Sequence, residues 1–250
     1  MECGNIAFRD DTFTSIATSG SPEQAMTVEG TVRCAGILLG WAALAAVWSW
    51  TMFYGQNRRL PDGYLVAGLV FALLVAATTI IRKKWALITA PIYAFLEGFC
   101  LGGLCAHIGT PTPGAPAKTV ALTFGALFSL LVAYRWRPFR TATIYTRVVV
   151  AAGGGVAVVS LFGFGLAMLG VREPSMLPDG AFGMLINVVL LVVAALTLVA
   201  TFDFIESGER SAAPKYMEWY AAFGLIVALV WLYFELLRLV SNVRRLPRLQ

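Results

Sequence analysis

Charge is scarce in this sequence. Of 250 residues only 13% are Asp, Glu, Lys or Arg, while 58% are hydrophobic and the mean hydropathy is +0.75. Soluble domains carry about 25% charged and roughly 45–50% apolar residues, so the composition excludes a soluble globular enzyme. Histidine is scarcer still. The single His107 has no second histidine to complete a metal site, no GxSxG-like serine to activate and no HExxH context, and no enzymatic activity is expected. Lysine is confined to Lys83, Lys84, Lys118 and Lys215. None lies in the last apolar stretch, where a seven-span retinal protein needs its Schiff base. Four cysteines, Cys3, Cys34, Cys100 and Cys105, form no paired framework and read as reduced apolar residues. Gly153–Gly155 follow no strand and precede no Lys-Ser/Thr, so no nucleotide loop and no cofactor is expected. A cleavable secretory signal is also missing at the N-terminus, which leaves the first span to direct insertion. The net charge of +5 sits in scattered short loops rather than in one patch, which argues against a nucleic-acid partner.

Long apolar runs are what the sequence does have. They cover Ala35–Tyr54, Tyr64–Ile81, Trp85–Ile108, Ala117–Tyr134, Val148–Gly170, Ala181–Phe204 and Trp219–Val240. Each is near the roughly 20 residues that cross a hydrocarbon core of about 30 Å. Breakers separate them: LPDG at 60–63, GTPTPGAP at 109–116, REPSMLPDG at 172–180 and ESGERSAAP at 206–214. The reading is an all-α polytopic membrane protein of seven transmembrane helices. Residues 1–32 form a flexible cytoplasmic tail in which Phe8 and Phe13 dock locally, and 33–250 form one transmembrane domain whose first partner is the lipid bilayer.

Loop charge sets the expected orientation. One side receives Arg9, Arg33, Arg82, Lys83, Lys84, Arg135, Arg137, Arg140, Arg147, Arg210 and Lys215, the other only Arg58, Arg59, Lys118 and Arg172. The positive-inside rule then places the N-terminus in the cytoplasm. Seven crossings send the C-terminal tail outside, against the pull of Arg244, Arg245 and Arg248. Trp48, Trp50, Trp85, Trp136 and Trp219 fall near run ends, as interfacial anchors do.

An ionisable side chain inside a span costs roughly 2.5–3.5 kcal/mol on insertion scales, so each one is a functional candidate. Glu97 lies mid-span in YAFLEGFCLGG, Asp203 near the end of the sixth run in VATFDFIESG, and Glu235 in the last third of the seventh in WLYFELLRLV. Carboxylates in such settings suit ion or proton pathways. Each also has a structural alternative. Glu235 and Arg238 are spaced i, i+3 for a local ion pair, Asp203 is placed to snorkel at the boundary, and Glu97 can serve as a buried hydrogen-bonding group. Gly98 and Gly102 make a small-xxx-small step for close helix packing, and Gly153, Gly154, Gly155, Gly163 and Gly165 narrow the fifth run.

The segments NIAF and MTVEGTVR, the run APIYAFLEGFCLGG, the sequence TFDFIESG and the closing APKYMEWYAAFGLIVALVWLYFELLRL together resemble the Bax inhibitor 1-like family, particularly its bacterial branch. The resemblance implies six helices around a central seventh, in a bacterial inner membrane. It also implies kinship with pH-sensitive calcium leak channels and with proteins that associate with membrane proteases. The family's leak mechanism shares a proton between two aspartates in the sixth and seventh spans. Asp203 matches the first. At the second stands Ala228, with Glu235 two turns further along the same face and Glu218 as a displaced alternative acid. The leading expectation is a pH-sensitive leak of Ca²⁺ or another cation, gated at Asp203, with Glu97 and Glu235 as pathway carboxylates and Glu218 and Arg238 as secondary candidates. Ca²⁺ enters as transported ion, and no resident metal is assigned. The rival is a non-conducting regulator of a membrane partner such as a protease.

Overall fold

The structure, a computed structural model, describes residues 25–54, 62–109 and 181–243. Among them are five α-helices: α1 (Val28–Tyr54), α2 (Asp62–Ile81), α3 (Ala86–Gly109), α4 (Ala181–Arg210) and α5 (Met217–Val243). A single 3-10 turn, Lys83–Trp85, joins α2 to α3, and no named strand occurs among the described residues. Four segments are long and apolar enough to cross a membrane: Val28–Met52, Lys83–Leu104, Met184–Arg210 and Met217–Leu239. Ala67–Ile81 is a shorter apolar helix. The described residues are thus all-helical, and the chain is a multi-pass membrane protein. The expected runs Ala117–Tyr134 and Val148–Gly170 lie outside the described residues, as do Phe8, Phe13 and the glycines at 153–165.

Helix ends depart from the apolar runs because caps set them. α1 starts at Val28, within the stretch read as tail, because Thr27 caps it: its Oγ1 accepts the Gly30 N–H at 3.0 Å. The tail reading of 1–32 is therefore corrected at its end, where residues 28–32 are helical. α4 continues past Phe204 to Arg210, its polar last turns carrying an Arg210–Glu206 ion pair of 3.0 Å. It closes on Ala212, whose φ of 48° is left-handed. The Ala213 N–H reaches Gly208 O and the Ala212 N–H reaches Glu209 O, both at 3.0 Å, which satisfies the last carbonyls in a Schellman pattern.

The chain divides into two units, Met1–Leu104 with Ala200–Val227, and Cys105–Val199 with Ala228–Gln250. In the first, α3 is the hub. A Cβ on Gly98 or Gly102 would collide with the carbonyl oxygens of Ala42 and Ala46, so α1 and α3 meet backbone to backbone along that step. Trp48 covers the crossing against Phe95 and Phe99, with ring centroids 6.2 and 5.9 Å away. On the α2 side of α3, the Thr79 and Thr89 hydroxyls bond at 2.8 Å; Thr79 also reaches Val75 O in its own helix, and Thr89 reaches Trp85 O of the 3-10 turn. Tyr93 of α3 then meets Phe223 of α5 edge-on at 5.0 Å.

The second unit holds the first part of α4, where Ala194 and Leu198 are fully buried, and the end of α5. The four spans differ in enclosure. The α5 window is 83% buried and the α1 window only 28%, with Val32, Leu44, Val47 and Trp48 of α1 exposed as a lipid-facing helix requires.

Candidate functional site

Glu97 lies about 16 Å along α3 from Ala86, taking about 1.5 Å per residue, and is only 5% exposed. Its own helix places Tyr93 one turn before it and Gly98 beside it, where α1 approaches most closely. No hydrogen-bond partner of its carboxyl occurs among the described residues.

Asp203 stands at the end of the apolar run, but α4 runs on past it. With α4 extended to Arg210, it lies roughly 10 Å inside the helix end rather than at it. The capped polar turns prolong the helix beyond the point where the apolar run stops. Asp203 is half-buried between the buried rings of Phe202 and Phe204. It belongs to the same unit as Glu97.

Glu235 belongs to the other unit and is 1% exposed. Trp231 Nε1, one turn earlier, donates to its Oε1 at 3.2 Å, and Arg238 Nη1 stands 3.6 Å from Oε2. The i, i+3 pairing read from the sequence is thus present, but Oε2 receives no hydrogen bond. Ala228 is buried.

Glu218, the displaced acid, is engaged elsewhere. It is 4% exposed in the first turn of α5, and its Oε1 accepts both the Thr27 N–H and the Thr27 hydroxyl at 3.0 Å while Lys215 Nζ stands 2.9 Å away. Glu209 Oε1 accepts the Val28 N–H at 3.0 Å. Two carboxylates therefore sit on the positive end of α1, where backbone N–H groups have no helical partner. The Met26 N–H bonds Ala213 O at 2.6 Å and Ala25 bridges Pro214, fastening the chain just before α1 to the α4–α5 connection. Gly30 permits this, because a Cβ there would overlap the Glu218 carboxyl. Sequence reasoning missed Thr27, Gly30, Glu209 and Lys215 as a group. The Thr-x-x-Gly start was a usable cap signal, but a bond spanning 191 residues leaves no local trace.

Asn187 was also missed. It is fully buried in α4 with neither amide atom hydrogen-bonded, and buried Ser49 Oγ likewise lacks a partner. A lone Asn in the run INVVLLVVAAL was the available sign. Among the described residues no group of three or more His, Cys, Asp or Glu is arranged to hold a metal ion.

Comparison with curated proteins and with solved structures gave no match. The family profile described as Bax inhibitor 1 like matches residues 5–245. That match takes in all five helices and every candidate carboxylate, and the chain belongs to the Bax inhibitor 1-like family.

Proposed function

We propose that this protein is a non-enzymatic, seven-span cation leak of a bacterial inner membrane, with Ca²⁺ as transported ion, its N-terminus cytoplasmic and its opening sensitive to pH. Glu97 carries the reading: a carboxyl nine-tenths buried in mid-membrane with no hydrogen-bond partner among the described residues. Such a group is expensive in lipid unless water or an ion serves it. Hard cations are taken by carboxylate and hydroxyl oxygens, and buried Ser49 Oγ in the same unit has no hydrogen-bond partner. Asp203 acts as gate and Glu235 as an additional pathway carboxylate steadied by Trp231 and Arg238. The enclosure of α5 supports its place as the central helix. Glu218 serves the α1 end instead of the gate.

Reconstitution in proteoliposomes with an entrapped Ca²⁺ indicator tests the reading. Glu97→Gln should lower initial Ca²⁺ entry several-fold, while Ile88→Ala on the exposed face of α3 should leave it unchanged. Equal entry in wild type and Glu97→Gln would remove Glu97 from the pathway.

One observation favours a second reading, a non-conducting regulator of a membrane protease. The Gly98–Gly102 face is filled by α1 and cannot receive another helix. Gly36 and Gly40, four apart on α1, meet nothing within 4 Å and leave a small-residue face open. Liposomes silent to Ca²⁺ at every pH would favour that reading.

A further inference from the structure

Four buried rings join three helices within one unit. Tyr93 of α3 meets Phe223 of α5 at 5.0 Å, Phe223 lies 6.4 Å from Tyr220 one turn earlier in α5, and Tyr220 meets Phe204 of α4 at 6.2 Å. All four are at most 7% exposed. The ends of this chain of rings are the two candidate carboxylates: Glu97 follows Tyr93 by one turn, and Asp203 immediately precedes Phe204. We propose that these four rings form the hydrophobic barrier of the cation path, separating Glu97 from Asp203 when the protein is closed.

The physical case rests on what an ion meets along this line. An apolar constriction expels water, and a cation stripped of water without oxygen ligands faces a steep barrier. Rings do this well, because they are large, rigid and pack edge to face. The Lys83 ammonium lies over the Tyr220 ring, 5.6 Å from its centroid, while its neighbours Arg82 and Lys84 are exposed. The ammonium therefore rests on one face of the ring cluster, as cation–π attraction favours. Opening requires the rings to part, which α5 can bring about because it carries both Tyr220 and Phe223.

The inference depends on the leak reading, and the experiment separates the two. Ca²⁺ entry into proteoliposomes is compared for wild type, Phe223→Ala and Ile88→Ala, using only monodisperse, helical protein as judged by size-exclusion chromatography and circular dichroism. Removing the central ring should raise entry at closed-state pH by about tenfold or more, equivalent to about 1.4 kcal/mol off the barrier, with Ile88→Ala at the wild-type rate. If Phe223→Ala does not fold, Phe223→Leu, which keeps apolar bulk without the flat ring, should still raise entry several-fold. A wild type that conducts and a Phe223 variant that conducts equally would overturn the barrier and leave the leak intact. A silent wild type beside a conducting variant would support the barrier and overturn only the resting leak. Silence in both would overturn both.

Discussion

Ala212 is a residue working against its own side chain. It occupies the left-handed position after α4, where its Cβ crowds the following carbonyl at a cost of roughly 1–2 kcal/mol and glycine is the usual choice. It persists because the turn must deliver Ala213 O to the Met26 N–H and Pro214 to Ala25. Ala212→Gly relieves the strain but adds freedom to the unfolded chain. The net expectation is a stabilisation of about 0.5–1 kcal/mol, read as a higher midpoint in thermal unfolding of the detergent-solubilised protein. An unchanged or lower midpoint would show that the turn's bonds, and not the backbone angle, hold this connection. The same scale explains why Glu218 read in the sequence as a displaced partner acid for Asp203. A buried acid at a helix start reads alike whether it faces a pore or another helix's N-terminus, and only the fold reveals that Thr27 and Lys215 occupy it.

At the scale of elements, glycines report how closely helices approach, and the neighbouring atom decides the cost of filling the space. A methyl on Gly98 or Gly102 meets backbone of α1, which can yield only if the helices separate. At Gly30 it meets the tip of a flexible side chain, which can swing away but forfeits its bonds to Thr27. At Gly36 and Gly40 it meets nothing. Alanine substitutions should therefore destabilise most at Gly98 and Gly102, by about 1–3 kcal/mol as overpacking does, less at Gly30, and not at Gly36 or Gly40. Thermal midpoints of the five variants check this order, and a Gly36→Ala as damaging as Gly98→Ala would contradict it. Much of this level was legible in sequence. The apolar runs located α1 to α5, because membrane length and composition are properties of a single segment, and the Gly98–Gly102 step announced a close crossing. Its partner, Ala42 and Ala46, was not legible, since two alanines in an apolar run look like any others. Helix ends were misplaced for a related reason: the apolar count stops where lipid stops, whereas Thr27 and the Ala212 turn stop the helices in the polar zone.

For the whole molecule, the proposed leak raises the question whether one acid could make opening depend on pH when Ala228 stands where the family resemblance implies a second. Asp203 lies in α4 between two buried rings, and one of these, Phe204, belongs to the ring cluster that bridges to α5. Protonated, its carboxyl can donate a hydrogen bond; ionised, it accepts only and favours water or a cation. The closed packing of α4 should accordingly be preferred at low pH and loosen as pH rises, so that flux increases with pH. The size of the effect is bounded by the bond at stake. A hydrogen bond within a membrane is worth about 0.6 kcal/mol on average and up to roughly 1.7, and about 1 kcal/mol shifts a two-state ratio about fivefold. A graded response follows, in contrast to the steeper switch that two acids sharing a proton would give through their mutual repulsion. Asp203→Asn retains a donor and abolishes the titration, so its Ca²⁺ flux should be low and flat with pH while that of the wild type climbs several-fold. An Asp203→Asn profile that still follows the wild type would transfer the pH response to another group, with Glu97 the first to test, because it is a buried carboxyl one turn from Tyr93 in the same unit.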